Sequence, residues 1–330
     1  MISRRKIIFA LAVSPLAVSF RAYAQQPGKV WRIGFLYFGS RRSAMENGRY
    51  SAFLQGMQEL GYVEGKHFVV EARFAEGKDE LVPSLASELV RSKMHVIVAT
   101  GTAVYAALKR STNTIPVVIT VTSDPIGDGF AASLARPGGN FTGLSTGNVE
   151  LFPKQIELLR IAVPKLSRLA MLWNPANPGH PARVSAMRTI AQKAGIRALP
   201  VEARSYEEIE RGFSEMSREH AQAVVVLNDT FFVQQFQQIA ALAIKHRLPS
   251  IYGAVEYAES GGLMGYGQNV ADNFRSAATF VDKILKGAKP GELPFEQPMR
   301  LRLVINRRTA KAIGLAIPQE LLLRADKVIE

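Results

Sequence analysis

The chain has 330 residues, 47% of them hydrophobic, with 41 Lys and Arg against 28 Asp and Glu and a formal charge of +13. That length and apolar content support two domains with cores of their own. Cysteine is absent, which excludes disulfides, thiol catalysis and a lipid-modified cysteine anchor. The basic residues are dispersed, with only short pairs such as Arg41-Arg42 and Arg307-Arg308 and no basic stripe interleaved with aromatics. Nucleic acid is therefore not an expected partner.

The chain starts as an export signal does. Ser3-Arg4-Arg5-Lys6 is a positive head, Ile7 to Phe20 an apolar stretch, and Ala22-Tyr23-Ala24 a cleavage pattern before Gln25. Ser14, Pro15 and Ser19 interrupt the apolar stretch, which is short for a membrane span. Residues 1–24 are expected to be cleaved, by the Sec route or, from the loose SRRKII match, the twin-arginine route. Arg4, Arg5, Lys6 and Arg21 leave with the signal, which lowers the net charge by four to +9. With no lipid anchor and no second long apolar segment, a soluble periplasmic product is expected.

After a linker, 30–38 reads as a strand and 44–60 as a helix ended by Gly61. The alternating run 67–75 reads as a second strand and 79–91 as an amphipathic helix. A third strand, 96–100, leads into a helix from about Ala103, and 116–122 is a fourth strand. Ser123-Asp124-Pro125 turns the chain, 129–135 reads as a short helix, and 141–148 as a crossing into a second lobe that opens with the helix 151–162. The second lobe has candidate strands at 169–173, 197–201, 223–227 and 250–252, with helices between them. The strand 261–266 and helix 273–287 form an extra pair that can return to the first lobe. A strand at 301–305 and a helix at 309–315 close the chain.

The order is written twice. MHVIVATGTAVYAALKRS (94–111) and AQAVVVLNDTFFVQQFQQIAALA (221–243) each run from a buried strand through a small polar loop into a helix. WRIGFLYFGS (31–40) and RLAMLWNPANPG (168–179) likewise end in turn-forming residues. Apolar strands alternating with helices mark parallel α/β sheets, which bind ligands outside the carboxyl ends of their strands. The expectation is two Rossmann-like lobes sharing one cleft. The first lobe takes 30–145 with about 261–290, and the second takes 146–260 with about 295–330.

Several patterns carry possible chemistry. Gly143-Leu144-Ser145-Thr146-Gly147 matches the nucleophile elbow G-x-S-x-G, which would make Ser145 the nucleophile of an exported hydrolase. Only His180, His220 and His246 follow it, and a crossing made of small residues explains the pentapeptide as well. The five His are isolated, so no metal site is expected, and no P-loop or G-x-G-x-x-G occurs, so no cofactor is expected either. At Thr100-Gly101-Thr102 the donors and dipole of a helix start face the crevice and suit a carboxylate, though a threonine there also caps the helix. In the second lobe Asn228-Asp229 occupies the matching loop, and Asp229 either caps the next helix or meets a ligand cation. Tyr252 suits stacking on a planar ligand with its hydroxyl left wet. Asn174 and Glu256 also fall at or just after strand ends.

The segments LGYVEGKHFVVEARFAEG, LVRSKMHVIVATGT, SLARPGGNFTGLS, LWNPANPGH, HRLPSIYG, GGLMGYGQN and AATFVDKILKGAKPGELP closely resemble the ABC transporter substrate-binding protein family. Relatives in that family include binders of tryptophan and other aromatic amino acids. The resemblance covers nearly the whole mature chain. It implies an α/β periplasmic-binding-protein fold of type I, with two Rossmann-like lobes joined by three hinge strands. It places Gly39-Ser40, Thr100-Gly101-Thr102 and Ser123-Asp124 on one side of a cleft, with Asn174, Asn228-Asp229 and Tyr252 to Glu256 on the other. The expected role is a monomeric, non-enzymatic receptor. It would deliver a carboxylate-bearing solute, an aromatic or branched amino acid, to an inner-membrane ABC permease with its ATPase. A sensor or chemoreceptor input with the same cleft is the alternative.

Overall fold

VIVAT at 96–100 and AVVV at 223–226 form strands buried along their whole length, as apolar runs covered by helices on both faces must be. The computed structural model describes residues 30–146, 148–297 and 301–330. The signal expected at 1–24 lies outside the described residues.

The first half runs β1 (Trp31–Tyr37), α1 (Arg41–Glu46), α2 (Arg49–Glu59), β2 (Phe68–Phe74), α3 (Val82–Arg91), β3 (Val96–Thr100), α4 (Thr102–Ser111), β4 (Val117–Thr122) and β5 (Phe141–Ser145). The second half runs α5 (Asn148–Ala162), β6 (Arg168–Trp173), α6 (His180–Lys193), β7 (Arg197–Glu202), α7 (Tyr206–Arg218), β8 (Ala223–Val226), α8 (Thr230–Gln234), α9 (Phe236–Lys245) and β9 (Ser250–Ala254). It continues with α10 (Glu256–Glu259), β10 (Met264–Gln268), α11 (Val270–Leu285), β11 (Arg302–Asn306), α12 (Arg307–Ile313), α13 (Gln319–Leu323) and β12 (Lys327–Ile329).

The first sheet has the order β2-β1-β3-β4-β5, all parallel. The second has the order β12-β11-β10-β9-β8-β6-β7, parallel except where β10 meets β11. Apart from the added edge β11-β12, the two orders coincide, with β6 to β10 standing where β1 to β5 stand. Each sheet reverses its strand order once, beside β1 and β3 in the first and beside β6 and β8 in the second. Ligands bind at such switch points. The repeated sequence pattern is therefore a repeated topology.

Four expectations need correction. The helix foreseen over 44–60 breaks at Asn47-Gly48, because Gly48 adopts a left-handed φ of 65° and starts α2 afresh. Residues 129–135 form turns, held by Phe130 and Ala131 N–H groups donating to the Pro125 carbonyl, rather than a helix. The segment at 141–145 is a full fifth strand of the first sheet, where Gly143 lets the backbone approach Ile119 so closely that a Cβ would lie 2.1 Å from its carbonyl oxygen. The strand expected near 261–266 belongs to the second sheet as β10, between β9 and β11.

Only the helix after β10 returns to the first sheet. Phe274 and Phe280 of α11 share a core with Phe35 and Phe53. Gly56 permits the approach, since a Cβ there would sit 2.3 Å from the Arg275 carbonyl. The chain thus passes between sheets after β5, after β10 and before β11. The last passage lies beside β5, with Glu296 N–H donating to Gly143 and Ser145 N–H donating to Glu296.

Candidate functional site

The two switch points face one another across an interlobe cleft of about 670 Å³, part of it open to solvent. From the first half it is lined by Arg49, Thr100, Gly101, Thr102, Thr122, Ser123 and Thr146, and from the second by Asn177, Asn228, Asp229, Thr230, Tyr252 and Gly253. Gln268, Val270 and Asn273 close it at the β10–α11 passage, where the Asn273 amide donates to Gln268 at 2.9 Å. A mouth of about 420 Å³ continues past Thr102 and Asp229 to Asp79 and Arg204.

Among the sequence-derived candidates, Thr100-Gly101-Thr102, Ser123, Asn228, Asp229 and Tyr252 come together here. At the α4 start, Gly101 has a φ of 114° and no side chain caps the helix. The first N–H groups are left without helical partners, as at any helix start. Thr230 stands across the cleft, its side chain 3.5 Å from where a Gly101 Cβ would lie.

The opposite wall is closed on itself. Asp229 is 7% exposed. Its carboxylate accepts from Asn174 Nδ2 at 3.2 Å, Asn177 Nδ2 at 2.8 Å and the Phe231 N–H at 2.9 Å, which makes it the cap of α8. His180 lies 3.9 Å from the same carboxylate but forms no ion pair with it. Burial pushes the His180 pKa down, and both ring nitrogens are taken, Nδ1 by the Asn174 N–H and Nε2–H by the Asn228 carbonyl. This ring is neutral and structural.

Tyr252 corrects the expectation of a wet hydroxyl. The residue is 1% exposed, its oxygen accepts from the Asp229 N–H at 3.0 Å, and its O–H donates to the Asp229 carbonyl. Burial drives its pKa far above the usual phenol value. Phe236 meets its ring edge-on at 4.7 Å, so only part of it borders the cleft.

Five other candidates do not line the main cleft. Gly39 is buried behind Tyr37 and Gln234, and Ser40 caps α1 through the Ser43 N–H. Asp124 accepts from the Gly127 N–H and borders a different cavity beside Arg183. Asn174 reaches the mouth alone while bracing Asp229. Glu256 sits in the cavity behind Arg49 and accepts from the Val270 N–H at 2.6 Å, and burial raises its pKa. Ser145 ends β5 just before α5 and is buried, and both ring nitrogens of His180 are held by Asn174 and Asn228, so Ser145 and His180 form no nucleophile–base pair. Among the described residues no cluster of His, Asp or Glu is suited to a metal, and no helix is long and apolar enough to cross a membrane.

Among the described residues a buried ion pair joins the lobes. Arg183 of α6 donates to both Asp128 oxygens, at 3.0 and 2.7 Å, and Asp128 also accepts from Thr122 at the end of β4. Burial raises the Asp128 pKa even with Arg183 beside it. Gly179 sits under the pair, and a Cβ there would lie 2.6 Å from both partners.

Sequence reasoning missed Arg49, Asn177, Gln268 and Asn273. Arg49 carried a usable signal, because it falls on the same helix face as Phe53 and Met57. The others reach the cleft through loops and a passage whose placement is tertiary.

Comparisons with known proteins agree with this fold. A tyrosine-binding protein of Clostridioides difficile (strain R20291) is 24% identical over 273 residues, 80% of this chain and 75% of that protein. A conserved domain protein from Vibrio cholerae O1 biovar eltor str. N16961 superposes with a TM-score of 0.84 at 25% identity, covering 91% of this chain and all (100%) of that one. An ABC domain from Streptococcus pneumonia in complex with L-Trp superposes at 0.83, with 25% identity and 91% and 100% coverage. The type I periplasmic-binding fold is common to them. Residues 43–329 match the ABC transporter substrate binding protein family, and the chain belongs to that family as one of its solute-binding proteins.

Proposed function

We propose that this chain is the receptor of an ABC uptake system, exported to the periplasm, where it captures an aromatic amino acid between its lobes and presents it to a permease with its ATPase. One observation carries the reading: two topologically equivalent lobes set their switch points face to face across a single cleft. Open α/β sheets take ligands at that place, and closure about a hinge would bury the solute. The tyrosine-binding relative and the L-Trp complex support the solute class. The three passages between sheets supply the hinge, with α11 moving as part of the first lobe.

Calorimetry with L-tyrosine, L-tryptophan and, as a contrast, ribose tests the reading. Saturable binding of an aromatic amino acid with no response to ribose is expected. Binding of neither amino acid overturns the solute class. Small-angle scattering should show a smaller radius of gyration at saturation, and an unchanged radius with solute bound overturns hinge closure.

A further inference from the structure

Arg49 opens α2 directly after the Gly48 turn and is only 4% exposed. It borders the interlobe cleft on one side and the cavity holding Glu256 on the other. Its one hydrogen bond among the described residues goes to the Tyr37 hydroxyl, and its guanidinium carbon lies 5.8 Å from the centre of that ring. Neither contact is with a carboxylate. No described carboxylate oxygen comes within 4.0 Å of it. Glu256, whose ionisation Arg49 favours from farther off, spends one oxygen on the Val270 N–H and leaves the other buried without a partner.

A guanidinium keeps its charge and several N–H donors at any physiological pH. Buried cations in folded proteins are paired, because an unpaired one is strongly unfavourable. Here no carboxylate pairs with it directly, Glu256 lies farther off, and the wall faces the cleft. The α4 start offers roughly half an elementary charge, whereas Arg49 offers a whole one in the same cleft. We infer that Arg49 receives the solute's carboxylate, with Tyr37 as the positioning residue that orients the guanidinium. The inference rests on the proposal that this cleft holds the solute.

Calorimetry on the wild type, Arg49→Lys and Arg49→Met with L-tyrosine and its decarboxylated counterpart tyramine tests this. Arg49→Met should weaken L-tyrosine about 100-fold, as expected for losing charged hydrogen bonds to a carboxylate. Arg49→Lys keeps the charge without the fork and should lose about tenfold. Tyramine binding should be weak and equal in all three proteins. Equal losses for both ligands, or L-tyrosine binding unchanged in Arg49→Met, overturns the assignment while leaving the solute class standing. If the wild type binds neither L-tyrosine nor L-tryptophan, the proposed solute class fails, and ligand-free melting temperatures then decide the role of Arg49. A cation reserved for a ligand is a stability liability, so Arg49→Met should melt at or above the wild type. Melting several degrees lower marks a structural arginine and overturns the inference.

Discussion

The loops after β3 and β8 occupy the same topological position and have opposite chemistry. In the first, Gly101 precedes α4, no side chain caps the helix, and Gly101 and Thr102 line the cleft. In the second, Asp229 caps α8 and is itself pinned by Asn174, Asn177 and Tyr252. One loop is left open to a ligand and the other is a rigid wall. Duplication supplied the frame, and the residue at the helix cap decided which side offers free polar groups.

Removing the wall's keystone should have the largest effect. Asp229→Ala leaves two buried amides and a capped N–H without an acceptor, so about 3 kcal/mol of stability should disappear in urea unfolding. Its carboxylate is already occupied, so any loss of affinity should be equal for an aromatic amino acid and its deaminated analogue. A loss confined to the amino form would restore Asp229 as an ammonium partner and break the comparison.

Next is the pair that ties the lobes. Asp128→Ala strands Arg183 in the closed form, where an unpaired buried charge costs about 3–5 kcal/mol, but opening the cleft lets water reach it. The predicted result is a larger radius of gyration without solute and roughly tenfold weaker binding. An unchanged radius would show that the pair does not bias closure.

On the open side, Gly101→Ala places a Cβ at a φ of 114° and 2.9 Å from the Phe38 Cβ. Strain of about 1–3 kcal/mol should lower the melting temperature and loosen the α4 start. A variant as stable as the wild type would mean that the loop adapts more freely than its packing implies.

The smallest effect is a pH dependence of the wall. The folded pKa of His180 lies below its ordinary 6.5, so the unfolded chain binds the proton more readily. Its contribution to stability is intact above pH 6.5 and is lost as pH falls through that value toward the folded pKa. The slope approaches about 1.4 kcal/mol per pH unit at most. Denaturant unfolding between pH 7 and 5 should show the decline, and His180→Gln should flatten it. An equally steep decline in the variant would place the titrating group elsewhere.

The central strands β3 and β8 were legible because VIVAT and AVVV are apolar at every position, and only a sheet covered on both faces buries such runs. The loop Thr100-Gly101-Thr102 was legible for the same reason, since a strand end followed by a helix start fixes its place. Arg49 was overlooked because an arginine in a helix is ordinarily solvated. Its burial comes from Tyr37 and the second half of the chain closing over it. Asp229 stayed ambiguous in the sequence because the amides that occupy it, Asn174 and Asn177, lie 55 and 52 residues away.

By itself the sequence determined the alternation of strand and helix, its duplication, and therefore the fold and the region of the cleft. These follow from local periodicity and from segments long enough to be distinctive. Only the tertiary structure decided that β10 belongs to the second sheet while α11 covers the first. It alone left Arg49 without a directly paired carboxylate and turned Asp229 inward. Such outcomes depend on which distant groups meet in a low-dielectric interior, where pairing decides the role of a charge and no local pattern records the partner.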